Sequence, residues 1–161
     1  MVSFKESIPD TVSKGSVSVP DRLEALNKTQ LHAVLATVSG GRPHTSLIAF
    51  ALTADLRTLI FATPKATAKH RNILKNSRVS LLIDTRTNSD SDYIGAEAVT
   101  ITGTAMPMRK GKQWTELRNV LTSKHPALKD FVDAPGTALV MVRISRCVHV
   151  GRFQAVSVWE A

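Results

Sequence analysis

A chain of 161 residues, 43% of them hydrophobic, suits one domain with a real core and excludes wholesale disorder. Aromatics are only 5%, so the core must be mostly Val, Leu, Ile and Ala, and no apolar run approaches the ~18 residues of a membrane span. The lone Cys147 excludes a disulfide framework and a Cys-rich zinc site, and the net charge of +8 points to an anionic partner.

Residues 1–19 are rich in Ser, Lys and Val without a sustained period, which predicts a loosely held arm. Their opening, MVSFKESIPD, lacks the apolar stretch of a signal peptide, so a cytoplasmic protein is expected. Asp21 is placed to cap a short helix through Asn27, with Pro20 just before it and Leu23, Ala25 and Leu26 as its apolar residues. Four short β-branched runs follow: HAVLATVS, PHTSLIAFAL, RTLIFAT and RVSLLID. Gly40-Gly41 joins the first two as a hairpin, because both glycines can take positive φ. Residues 53–55 make the next reversal, so the first three runs are expected to form an antiparallel meander. Between the third and fourth runs, Thr67 is placed to cap a helix to Lys75, with Ile73 and Leu74 facing inward. The polar stretch TRTNSDSDYIG reads as a loop. Alternation resumes in AVTITGTAMPM, which puts Val99, Ile101, Gly103 and Ala105 on one face. Trp114, Leu117, Val120 and Leu121 repeat at helical spacing within residues 111–123. A second short helix covers residues 127–132, and TALVMVRIS and CVHVGRF read as two final strands. Six or seven antiparallel strands, few helices and no βαβ alternation predict a mainly β fold, barrel or sandwich, in one domain over residues 20–161.

The charge is unevenly spread. Residues 31–78 hold seven Lys or Arg and one acid, Asp55, and so carry six of the eight net charges. Such a field attracts nucleic acid, a phosphorylated cofactor or an acidic surface; the plain alternative is a solvated basic face. Nucleic acid would want aromatics among the cations or a basic helix for a groove, and the aromatics here are too few and too scattered. A compact anion is the expected partner, with no nucleic acid and no membrane. The best candidate site lies in residues 63–72. Thr63, Lys65 and Thr67 stand in a loop, and Lys69, Arg71 and Asn72 stand on the helix that follows. A helix N-terminus offers unpaired N–H groups and about half a positive charge. Hydroxyls and cations at the same end build a phosphate site from local parts. The same spacing also suits an ordinary capped helix with solvated lysines.

The order strand, hydroxyl-rich loop, basic helix, strand carries a resemblance. Across residues 31–105, in LATVSGGRPHTSLIAF, FATPKATAKHRNILKNSRVSLLID and AVTITGTA, the chain resembles the pyridoxamine 5'-phosphate oxidase-like, FMN-binding split-barrel family. Weaker similarity continues in VHVGRF. The resemblance implies a six-stranded antiparallel split barrel that forms a homodimer, with FMN across the subunit interface. It implies that Thr63, Thr67 and Lys69 hold the FMN phosphate, with Arg71 or Asn72 assisting. It also implies that Ser46, Leu47, Ile48 and Ala49 run beside the isoalloxazine ring, using mostly backbone groups. The departures matter. In the oxidases proper an Arg opens the ring-facing strand and a Lys ends it; here these positions hold Ser46 and Ala51. A second phosphate Arg is replaced by Ala68 and a Gln on the later strand by Ala98. An Arg–His pair after a Trp, near the oxidase C-terminus, has no counterpart in VHVGRFQAVSVWEA. The expectation is therefore an FMN-dependent oxidoreductase acting on an unidentified small molecule, not a true pyridoxamine phosphate oxidase. Its rivals are a deazaflavin-binding barrel, a haem-binding barrel with His149 as ligand, and a non-catalytic dimeric binding module. Arg42 and His44 are candidate cations near the pyrimidine edge of a flavin.

Other residues carry weaker signals. The five histidines show no HxxxH or HxH spacing, so no metal site is expected. His149 reads more simply as a half-buried strand residue, and Cys147 as a small core side chain. No Gly-x-Ser-x-Gly elbow surrounds Ser46. Asn88, Asp90 and Asp92 start like a calcium loop, but the Gly and the distal Glu are misplaced, which leaves a solvated loop. Trp159 either anchors the tail or stacks on a flavin of the partner subunit; the first is the simpler reading.

Overall fold

Alternating burial along the strands wraps the sheet around an aliphatic interior. The computed structural model describes residues 8, 9, 11–152 and 154–161. Its elements in chain order are β1 (Ser13–Lys14), α1 (Val19–Thr29), β2 (His32–Ser39), β3 (Arg42–Ala49), β4 (Ala51–Leu52), β5 (Thr58–Pro64), α2 (Ala68–Lys75), β6 (Arg78–Asp84), α3 (Asp92–Gly95), β7 (Ala98–Pro107), α4 (Lys112–Lys124), a 3₁₀ turn (Pro126–Leu128), α5 (Lys129–Asp133), β8 (Thr137–Gly151) and β9 (Ala155–Glu160). Strands β3, β2, β6, β7 and β8 pair antiparallel in that spatial order, and β8 pairs onward with β5. Strand β4 pairs with β5 and continues β3 after the single residue Phe50, so the sheet returns to where it began. The result is a mainly β split barrel of six strands with flanking helices.

The split lies on β8. Residues 137–143 pair with β5, residues 146–151 pair with β9, and β7 runs along the opposite edge of both halves. Between the halves the register slips: Thr102 faces Arg146, Gly103 faces Ile144, and Ser145 is left over. A bulge of this kind bends and twists a strand, which lets one strand serve two neighbours. Gly103 is required there, because a Cβ at that position would collide with the Arg143 carbonyl oxygen. The two expected final strands are thus one strand, interrupted in pattern only by the bulge. The sequence reading also missed β9; Phe153, in the motif VHVGRF, lies outside the described residues.

The remaining differences have local causes. Part of the expected loose arm is tied down, since Ser13 and Lys14 pair in parallel with Ala155 and Val156. Ser18, not Asp21, caps α1: its Oγ accepts from the Asp21 N–H at 3.3 Å, and Asp21 sits in the first turn, where its charge favours the helix dipole. The helix runs two residues past Asn27 to Thr29 and buries Val19, Leu23 and Leu26. The expected three-strand meander is interrupted at Phe50. The third run meets its predecessor only through Ala51 and Leu52, and spends its whole length against β8. Gly40 and Gly41 do take positive φ, 56° and 74°, in the hairpin between β2 and β3. In α2, Ile73 is buried but Leu74 is 65% exposed; an eight-residue helix turns one face to the barrel, and consecutive residues lie about 100° apart around it. Residues 92–95 of the expected loop form the short α3.

Two apolar clusters result. The larger fills the barrel and receives α1; the smaller lies outside, where Leu117, Leu121 and Val132 of α4 and α5 cover Ile60, Leu139 and Met141. Among the described residues, no helix is long and apolar enough to cross a membrane.

Candidate functional site

The turn between β5 and α2 is built by its own hydroxyls. Thr67 Oγ1 donates to the Pro64 carbonyl oxygen at 2.9 Å and accepts from the His70 N–H at 3.4 Å, which makes Thr67 the N-cap of α2. Thr63 is fully buried, and its Oγ1 lies 3.0 Å from that of Thr67. The Lys65 N–H donates to the Gly136 carbonyl at 2.9 Å, which ties the turn to the approach of β8. Arg71 folds back, its Nη1 donating to the Ala66 carbonyl at 2.7 Å. Asn72 points inward, its Nδ2 donating to the buried Thr37 Oγ1 at 3.1 Å. The sequence-predicted residues are therefore brought together, but with divided roles. Thr63, Thr67 and Asn72 hold the turn against the barrel, and Arg71 braces its outer side. Lys69 is half-buried, with no hydrogen bond or ion pair among the described residues. Beside it, the first amides of α2 lack intrahelical acceptors and carry the positive end of the helix dipole.

A cleft of about 610 Å³ opens beside Ala68 and Asn72, and the hairpin residues Gly40, Arg42 and His44 form its other wall. The register explains this. His44 pairs with Thr37 and Ser46 with Leu35, so Arg42, His44 and Ser46 share the face of β3 that looks toward α2 and the interior. Ile48 follows on that face and is buried, whereas Leu47 points the other way and is 66% exposed. The Ser46 Oγ is buried without a hydrogen-bond partner. Strand β3 pairs only with β2 among the described residues, which leaves the backbone groups along the other edge of Ser46, Leu47, Ile48 and Ala49 without a strand partner. This wall can hydrogen-bond a planar heterocycle, and the α2 end can take an anion.

Sequence reasoning missed a charged cluster on the other flank. Glu97 accepts from Arg22 Nε at 2.9 Å, forms an ion pair with Arg22 Nη2, and lies 2.8 Å from His149 Nε2. The Arg22 guanidinium holds the Glu97 carboxyl below the ordinary carboxylate range, against the opposing effect of burial. His149 is only 4% exposed, and its Nδ1 is buried without a partner. With one ring nitrogen on Glu97 and the other enclosed, His149 presents neither to an outside ligand. Cys147 is fully buried, and burial pushes its thiol up to about 12, as for a core side chain. Asp92 accepts from the N–H groups of Thr87 and Asn88, so its carboxylate closes the loop. Trp159 packs against the main core and anchors the tail.

Residues 19–151 match the family model described as pyridoxamine 5'-phosphate oxidase. No curated protein sequence matches the chain. Several solved structures share the fold. A haem-binding protein from Mycobacterium smegmatis is 20% identical with a TM-score of 0.74; the match covers 90% of this chain, and this chain spans only 60% of that one. The haem storage protein HutZ from Vibrio cholerae is 15% identical with a TM-score of 0.68, over 80% of this chain and 91% of that one. An FAD-binding protein from Mesorhizobium loti is 15% identical with a TM-score of 0.66, over 83% and 94%. The matched span runs from α1 to the end of β8 and so contains the barrel, the hairpin and the α2 turn together: the chain belongs to the pyridoxamine 5'-phosphate oxidase family.

Proposed function

We propose that this protein is an FMN-binding flavoprotein, working as a homodimeric oxidoreductase on a small molecule other than pyridoxamine phosphate. The observation that carries the reading is Lys69, a cation uncommitted among the described residues, beside the free amides of α2 and next in the chain to Ala68, which lines the cleft. In this reading Lys69 and those amides hold the phosphate, while Thr63, Thr67 and Asn72 keep the turn in place behind it. Ser46, Leu47, Ile48 and Ala49 lie along the ring through their backbone groups, and the unpartnered Ser46 hydroxyl offers a hydrogen bond. The uncharged Ser46 and Ala68 remove two cations of the oxidases proper; Arg42 on the facing hairpin supplies positive charge from the opposite wall, with His44 beside it. Bound FMN supplies the hydride or electron chemistry, and the protein supplies orientation and electrostatics. Leu74 and Met106, both more than half exposed, line one apolar groove with Ile73, Pro107 and Met141, which supports a contact between subunits.

Haem is the second reading, favoured by the fold shared with two haem proteins and disfavoured by the engagement of His149 with Glu97. Titrating the purified protein with FMN, and separately with haemin, decides between them. The expected result is saturable quenching of FMN fluorescence, one FMN per chain, with no haemin-dependent Soret band. A saturable Soret band with unquenched FMN would replace flavin by haem.

A further inference from the structure

A cavity of about 740 Å³ lies between α1, β4 and α4 and shares no lining residue with the cleft beside α2. Leu52, Leu56 and Val120 give it an apolar wall, and Asn27, Ser123 and Lys124 stand on its polar side. Lys124, the last residue of α4, places Nζ 3.7 Å from the centroid of the Phe50 ring and donates to Asn27 Oδ1 at 3.2 Å. That oxygen is itself fixed, since it also accepts from the Leu52 N–H at 3.0 Å. Among the described residues no carboxylate lies within ion-pair distance of Lys124. Glu24, the acid that lines the same cavity, is paired with Lys28 at 2.8 Å. Lys124 is thus a half-buried ammonium with only neutral partners, an aromatic face and an amide oxygen. Buried charges are ordinarily paired, and an ammonium at the wall of a roomy cavity is satisfied by an anion that enters it.

We propose that this cavity binds a small organic carboxylate, its anionic end on Lys124 Nζ and its compact apolar body against Leu52, Leu56 and Val120. A neutral analogue has no charge to offer the ammonium, and a dianion meets Glu24 across the cavity. The assignment is independent of the flavin reading, since the two clefts have no residue in common.

The site carries a pH signature. Burial lowers the Lys124 amine to about 8, so its charge is present at neutral pH and is lost as the pH rises past that value. Lys28, the other cation that lines the cavity, is ion-paired with Glu24. Hydrogen bonds from Lys28 and Thr53 keep Glu24 and Asp55 below the ordinary carboxylate range, and burial keeps the neighbouring His125 neutral. Carboxylate affinity is therefore full near pH 7 and falls above pH 8.

The test uses 4-fluorobenzoate as probe and its ¹⁹F NMR signal in the presence of the full chain. The unmodified protein is expected to bind it saturably at pH 7 and to bind neutral 4-fluorobenzamide at least about tenfold more weakly, the scale of one charge-assisted hydrogen bond. Raising the pH to 9.5, about 1.5 pH units above the amine's value of about 8, is expected to weaken benzoate about 30-fold, a readout that needs no variant. Lys124→Met keeps the length of the stem and is expected to abolish benzoate binding, whereas Lys124→Arg retains it. Absence of saturable binding to the unmodified protein, equal binding of the benzamide, a flat pH profile, or undiminished binding by a folded Lys124→Met protein would each overturn the proposal.

Discussion

Phe61→Ala is expected to lower the free energy of unfolding by about 3–5 kcal/mol, the usual cost of removing a fully buried ring. Phe61 is 0% exposed, stands opposite Val140 in the β5–β8 pair, and belongs to the cluster that fills the barrel. With only five Phe in the chain, the interior depends on a few large rings among small aliphatic side chains. The surrounding strands are held in register by continuous pairing, so they cannot close fully on the space left behind. Urea denaturation measures the effect as a lower midpoint at unchanged slope. A loss under about 1 kcal/mol would mean that the ring does not fill the barrel as described.

Lys69→Ala is expected to weaken FMN by about 1.5–3 kcal/mol, roughly 10- to 150-fold, and to leave riboflavin unchanged. The size follows from removing one charge-assisted hydrogen bond, and the selectivity from the absence of a phosphate in riboflavin. Lys69 makes no hydrogen bond or ion pair with the described residues, so its removal leaves the turn intact: Thr63, Thr67, Arg71 and Asn72 keep their partners. Fluorescence titration of both flavins measures the difference. Equal losses for the two ligands would move the phosphate away from α2.

What the sequence made legible was local and periodic. The bounds of β2, β6 and α2, the Thr67 cap and the Gly40-Gly41 hairpin follow from patterns within a few residues. The continuity of β8 was hidden because the bulge at Ser145 breaks the alternation, and β9 because it buries only Ser157 and so shows no alternating apolar face. The α1 cap was misread because Ser18 and Asp21 are both good caps three residues apart, and only the backbone distinguishes them. In the site, the gathering of Thr63, Thr67 and Lys69 was legible, but the direction of the hydroxyls was not. The Pro64 carbonyl competes for Thr67, and nothing in the residue types reveals that competition. Contacts between distant segments were beyond reach: Asn72 finds Thr37 across 35 residues, Glu97 joins Arg22 to His149 across 75 and 52, and Lys124 meets Asn27 across 97.

Side-by-side dissociation constants of FMN and riboflavin for the unmodified protein, at one ionic strength, bear most directly on whether α2 anchors a phosphate. FMN is expected to bind at least about tenfold tighter, or about 1.4 kcal/mol. Equal constants, or no affinity for either flavin, would contradict it.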